Sequence, residues 1–177
     1  MKLFAAITFP EDIRKALVGT MHELKNRDIR GNYVSMQNLH LTMTYIGEVQ
    51  SAQPVREIMS AIPFEPFRLQ LTEPGHFDST LWAGAKAGQR MKEYNHALRT
   101  ELKKAEIPFS DQKFEPHVTL VRKASGAWPK GITIPKCEMM VRKISLMKSE
   151  QKNGKTVYTE IFAVRQGTRQ GAPGDAD

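Results

Sequence analysis

A chain of 177 residues that is 40% hydrophobic and 25% charged has the size and balance of one folded domain, which sets aside disordered, collagen-like and membrane-embedded classes. The net charge of +7 favours a polyanionic partner through long-range attraction and counterion release, without naming one. No apolar run reaches the length of a bilayer span, and the apolar opening after Lys2 is too short and polar-flanked for a secretory leader, so a cytoplasmic protein is expected.

In chain order, residues 3–9 are apolar and fit a buried strand, and Pro10-Glu11-Asp12 sets proline and acids where a helix begins. Ile13, Leu17, Met21 and Leu24 recur at helical spacing as far as Lys25, and residues 26–32 are polar and read as a loop. Over residues 39–46, closed by Gly47, Leu39, Leu41, Met43 and Tyr45 take one parity while His40, Thr42 and Thr44 take the other, which is a strand with one polar face. A second helix is expected over 52–62, stopped by Pro63, then a strand over 67–72 and a turn at Pro74-Gly75-His76. Residues 80–85 read as a strand, Met91, Tyr94, Leu98 and Leu102 mark a helix, and 116–121 read as another strand. Strands over 137–148 and 156–164, joined by a turn near Asn153-Gly154, make a closing hairpin. The one cysteine, Cys137, has no partner for a disulfide or a zinc cage and is read as a buried structural thiol. Residues 167–177 have little to bury and are expected to be a disordered tail, leaving 1–166 as a single bilobal domain.

Strand, helix and strand thus occur twice in the same order. Phe4 stands 36 positions before His40 and Leu81 stands 36 before His117, so the two units superpose without a gap and form an internal pseudo-repeat. Side chains two apart on a strand share a face, so His40 with Thr42, and His117 with Thr119, each present an imidazole and a hydroxyl together. With 5 His and 12 Thr in the chain, about 0.3 His-x-Thr tripeptides are expected by chance, and two at equivalent places in a repeat are far rarer. If the halves pack about a pseudo-two-fold axis, the two imidazoles flank one bound group, as in-line displacement at phosphorus requires. The unprotonated ring takes a proton from attacking water, the protonated ring gives one to the departing oxygen, and the hydroxyls hold the phosphate oxygens.

Three segments carry a resemblance to a known family: Leu3-Phe4-Ala5-Ala6-Ile7, then Asn38-Leu39-His40-Leu41-Thr42 running on to Ile46-Gly47-Glu48-Val49, and Phe114-Glu115-Pro116-His117-Val118-Thr119-Leu120 followed by Arg122. From Lys2 to Val164 the chain resembles the two-histidine phosphoesterases, and among them the bacterial and archaeal RNA 2′,3′-cyclic phosphodiesterases, also called 2′-5′ RNA ligases. The resemblance implies an α+β, bilobal fold: two pseudo-symmetric strand-helix-strand units, with antiparallel sheets flanking a central cleft. It implies hydrolysis of RNA 2′,3′-cyclic phosphate ends, tRNA fragments among them, to a 2′-phosphomonoester, with reversible 2′-5′ ligation and no metal or cofactor. Carried over by residue, His40 resembles the general acid, His117 the general base, Thr42 and Thr119 the phosphate-holding hydroxyls, and Arg122 a basic phosphate ligand. On an ideal strand Arg122, five positions after His117, points to the opposite face, and it reaches the phosphate only if the strand bulges.

The remaining histidines have plainer readings: His22 and His96 fall off the apolar stripes of their helices, and His76 sits in the expected turn. No His-x-x-x-His, carboxylate cluster or cysteine partner suggests a metal, and Gly84 and Gly88 lack the following Lys-Ser/Thr of a phosphate loop. Phe4, Tyr45, Trp82 and Phe114 are candidates for stacking bases, and Lys113, Lys123, Lys130, Lys136, Arg142 and Lys143 for lining an RNA path. A monomer with an RNA partner and no membrane association is expected. Two alternatives stand beside this reading: a phosphodiesterase for small cyclic nucleotides or 2′-5′ oligonucleotides, and a non-catalytic RNA-end binding module.

Overall fold

The structure, a computed structural model, describes residues 1–167. Its elements follow the chain as β1 (Lys2–Thr8), α1 (Glu11–Asn26), β2 (Arg30–Tyr33), β3 (His40–Glu48), α2 (Gln53–Ala61), β4 (Phe67–Phe77), β5 (Thr80–Ala87), α3 (Gln89–Lys104), β6 (His117–Ser125), β7 (Glu138–Val141), β8 (Lys143–Lys152) and β9 (Lys155–Arg165), with a 3-10 turn at Met36–Asn38. Helix α1 buries the stripe Ile13, Leu17, Met21 and Leu24, with Glu11 and Asp12 in its first turn and Lys25 in its last, each complementing the helix dipole. Helix α3 buries Met91, Tyr94, Leu98 and Leu102 in the same way.

The strands are ordered β7-β4-β5-β6-β3-β1-β8-β9, with β2 added to β6. The two His-x-Thr strands are neighbours, joined antiparallel through one residue pair, Leu41 with Val118. Outward from that seam, β3-β1-β8-β9 and β6-β5-β4-β7 mirror one another, each motif strand lying against the first strand of its own strand-helix-strand unit. The α+β class and the two mirrored halves agree with expectation. One buried cluster runs beneath both halves, including Leu17, Leu41, Leu98, Val118, Leu120 and Ile144.

Several details differ from the sequence reading. Residues 30–32, taken as the end of a loop, belong with Tyr33 to β2: Tyr33 pairs with Val121, packs against the core and donates its hydroxyl to the Ile29 carbonyl at 2.7 Å. His76 lies within β4, and the turn comes later, at Asp78-Ser79, between the paired residues Phe77 and Thr80. The stretch 137–148 is broken at Arg142, since β7 pairs with β4 in one half while β8 pairs with β1 in the other. A period-two pattern reports which face is buried and carries no information about which sheet a strand joins. Cys137 is half-buried rather than buried, and its thiol is pushed up first by that burial and then by the Asp12 carboxylate. The gap-free superposition slips by one residue: Ala5 faces Thr44, four after His40, in the place where Leu81 faces Val121, four after His117. The closing hairpin turns at Asn153-Gly154 as expected, both at positive φ (53° and 76°). Beyond Gly167, the expected disordered tail lies outside the described residues.

Candidate active site

Each motif strand carries a bulge three residues after its histidine. Ala6 pairs with Thr42 and Ala5 with Thr44, leaving Met43 as the extra residue; Trp82 pairs with Thr119 and Leu81 with Val121, leaving Leu120. The inserted residue reverses the alternation, so Met43 and Thr44 are both buried, as are Leu120 and Val121. The positions five after each histidine therefore return to the polar face. Tyr45, expected on the apolar parity, is instead 44% exposed. Arg122, out of phase on an ideal strand, is exposed on the face that carries His117 and Thr119. The antiparallel Leu41–Val118 pair sets His40 beside Thr119 and Thr42 beside His117, so both imidazole-hydroxyl pairs meet at the seam.

Both imidazoles are turned the same way. Nδ1 of His40 lies 2.6 Å from the Asn38 carbonyl and Nδ1 of His117 lies 2.6 Å from the Glu115 carbonyl, in each case two residues upstream. A carbonyl only accepts, so Nδ1 carries the proton in both rings and Nε2 is the working atom. In the neutral His40 ring, Nε2 accepts from the Thr42 hydroxyl at 2.8 Å. Each ring also rests against two aromatic rings that touch each other. His40 meets Phe4 at 4.9 Å and Tyr158 at 5.1 Å, and Phe4 and Tyr158 stand 5.0 Å apart. His117 meets Phe77 at 5.2 Å and Trp82 at 6.0 Å, and Phe77 and Trp82 stand 5.0 Å apart. Trp82 fits only because position 75 is glycine: a Cβ there would fall 2.1 Å from the indole.

Burial holds the His40 imidazole below its ordinary pKa, the charges of Arg122 and His117 push it the same way, and the Asn38 carbonyl opposes them. Arg122 is thus placed electrostatically toward His40 from across the seam. The scaffold behind the site is a side chain of α3. Arg99 donates from Nε to Thr44 Oγ1 (2.9 Å) and from its two terminal nitrogens to the carbonyls of Met43 (3.1 Å) and Gln112 (2.6 Å). Thr44 in turn donates to Asn95 Oδ1 at 2.6 Å. One guanidinium therefore ties the bulge of β3 to the loop that delivers His117.

All five residues expected in the site, His40, Thr42, His117, Thr119 and Arg122, come together. Of the expected stacking aromatics, Phe4 and Trp82 support the imidazoles, Tyr45 is exposed on the site face, and Phe114 packs half-buried against the core. Tyr158, Phe77 and Arg99 were not expected, and no spacing marks them, because they arrive from β9, β4 and α3 through tertiary pairing. Of the expected basic path, Lys143 is ion-paired with Glu160 at 2.8 Å, while Lys113, Lys123, Lys130, Lys136 and Arg142 are exposed. His22 and His96 are exposed, as expected. Among the described residues no group of three or more His, Cys, Asp or Glu side chains is placed to hold a metal, and no helix is long and apolar enough to cross a membrane.

A mirrored pair of strands, each offering an imidazole and a hydroxyl at one seam, defines a two-histidine phosphoesterase fold, and the chain belongs to the 2′-5′ RNA ligase superfamily, whose profile matches residues 9–153. Among its particular relatives, the RNA 2′,3′-cyclic phosphodiesterase of Thermus thermophilus is 32% identical, the match covering 93% of this chain and 91% of the relative. That of Escherichia coli is 28% identical, covering 90% and 93% respectively. The crystal structure of E. coli LigT complexed with 3′-AMP superposes with a TM-score of 0.83 at 26% identity, covering 94% of this chain and 98% of that one.

Proposed function

We propose that the protein is an RNA 2′,3′-cyclic phosphodiesterase, opening cyclic phosphate ends to a 2′-phosphomonoester, with reversible 2′-5′ ligation when an RNA 5′-hydroxyl attacks the cyclic phosphate in place of water. The observation that carries this reading is the pair of Nε2 atoms presented from neighbouring strands at one seam, each with a threonine beside it. His117 acts as the base on water, His40 as the acid on the departing 3′ oxygen, and Thr42, Thr119 and Arg122 hold the non-bridging oxygens. Because the free His40 ring favours the neutral form, the bound phosphate anion supplies the charge that loads it with a proton, releasing the Thr42 hydroxyl toward phosphorus. Tyr45 offers its exposed ring to the terminal base. All these side chains belong to one chain, so a monomer suffices, and the cytoplasm is the compartment that this substrate implies.

Incubating the protein with a short RNA ending in a 2′,3′-cyclic phosphate tests the reading. Conversion to a monoester is expected; binding without turnover supports an RNA-end module instead, and turnover of cyclic mononucleotides alone supports the small-molecule reading. The lowered pKa of His40 favours one variation, in which His40 is the base and His117 the acid. In-line geometry ties the roles to the product. Phosphorus NMR is expected to show a 2′-phosphate, and a predominant 3′-phosphate would exchange the two roles while keeping the two-histidine chemistry.

A further inference from the structure

The β4–β5 hairpin is a partition with a ring on each side. Phe77 turns its ring to His117, whereas the adjacent His76 turns the other way and faces Trp128, ring centroids 5.0 Å apart. Behind the partition these two rings wall a cavity of about 190 Å³, lined also by Ile29, Asp78, Ser79 and Ser125. None of His40, Thr42, His117 or Thr119 reaches it. Trp128 is 42% exposed, so its indole is open to a ligand that enters the cavity.

The lining has a definite chemistry. The two rings touch each other at a tilt of 45°, so the exposed indole offers one face to a planar ring, and the volume suits one such ring rather than a larger ligand. The edge is polar: the Asp78 carboxylate accepts, the Ser79 and Ser125 hydroxyls donate or accept, and His76 Nδ1 donates to the Asp78 carbonyl at 3.3 Å, leaving its Nε2 as an acceptor in the neutral ring. Positive charge runs alongside. Arg30 pairs across the ladder with Ser125, and Lys123 follows Arg122 on β6, where a positive φ of 53° twists the strand end. Arg30 and Lys123 are exposed and take part in no ion pair among the described residues. Rings that stack, acceptors at their edge and free cations beside them are what a single-stranded polynucleotide matches, base to cavity and phosphates to cations.

We propose that this cavity is a nucleobase subsite for single-stranded RNA, outside the catalytic cleft, with Arg30 and Lys123 steering the phosphates past it. It rests on the RNA substrate proposed above, and on none of the catalytic groups. The Asp78 acceptor favours bases with an exocyclic amine, adenine above uracil.

Two readouts test it. In Trp82→Phe protein, Trp128 is the remaining indole of the two in the chain, so titration with hexaadenylate lacking a cyclic end is expected to change its fluorescence to saturation, more weakly at higher salt and more weakly for hexauridylate. An unchanged signal overturns the subsite. In turnover, Trp128→Ala is expected to raise KM about 10-fold for a hexanucleotide with a cyclic end and to leave KM and kcat for a cyclic mononucleotide within about twofold, while Trp128→Phe, which keeps an aromatic face, stays close to the native KM for both. An equal rise for both substrates would make Trp128 a structural support, and no rise for either would again remove the subsite. Should the unmodified protein turn over no cyclic end at all, the catalytic reading falls while the fluorescence arm still decides the cavity. Saturating cyclic mononucleotide separates the source: a hexaadenylate signal that persists beside it assigns the cavity to a second strand, and one that is displaced assigns it to the upstream part of the same strand.

Discussion

The two imidazoles are oriented by backbone carbonyls, that of Asn38 for His40 and that of Glu115 for His117, rather than by carboxylates. Replacing either His40 or His117 by alanine is expected to lower kcat by roughly 10² to 10⁴-fold in a protein that still folds, read by turnover of a cyclic-ended RNA alongside circular dichroism. Thr42→Val and Thr119→Val remove one hydrogen bond to the transition state each and are expected to cost on the order of 10-fold to 10³-fold. Acid stability follows from the same residue. The folded state depresses the His40 pKa below its unfolded value of 6.5, so it binds fewer protons than the unfolded chain; its stabilising preference for the neutral ring is complete above 6.5 and is lost as pH falls through the depressed folded value. Urea unfolding at pH 7.5 and pH 5 is expected to show a larger loss for the native sequence than for His40→Ala. An equal loss would place the His40 ring in solvent.

At the scale of elements, the two bulges and the Arg99 clamp decide where the site residues point. Arg99→Met removes three donated hydrogen bonds, two of them to carbonyls, and is expected to cost about 1–3 kcal/mol and to lower kcat, measured by urea unfolding and turnover at a temperature where the variant is folded. The strand-helix-strand units and both His-x-Thr faces were legible because hydrophobic period and motif spacing are local. The bulges were not: nothing local distinguishes Met43 or Leu120 from an ordinary apolar strand position, and each is set by the pairing of its neighbours with β1 or β5. Parity accordingly sets Tyr45 on the apolar side of β3 and Arg122 out of phase with His117, for one and the same reason. The break at Arg142 did leave a local trace that a single strand over 137–148 passes over: Val141 is buried at an odd position whereas Ile144 and Leu146 are buried at even ones, so the parity changes across it.

At the scale of the molecule, the net charge of +7 should act on the polymer and not on the chemistry. Raising the salt from about 50 to 200 mM is expected to raise KM for a hexanucleotide much more than for a cyclic mononucleotide, with kcat little changed, because neutralised phosphates release counterions. Equal salt effects on both substrates would confine the electrostatics to the terminal phosphate. Turnover is also expected to continue in excess EDTA, with a bell-shaped pH profile from two coupled imidazoles; activity lost on chelation and regained with zinc or manganese would replace acid-base catalysis by metal chemistry.

The mirrored sheet is closed in an order unlike that of the chain. β8 and β9, the last strands among the described residues, lie in the half that holds β1 and β3, where Tyr158 meets the His40 ring and the Thr156 carbonyl accepts from the Asn38 side chain at 2.8 Å. On the ribosome, then, the first histidine motif emerges more than a hundred residues before the strands that finish its surroundings. A nascent chain can fold α1 and α3 early, but its first imidazole, with Phe4 already made, meets Tyr158 only once β9 has emerged, and such long-range closure is slow. The first histidine therefore acquires its full surroundings only after β9 has been made, whatever the order in which the preceding elements fold.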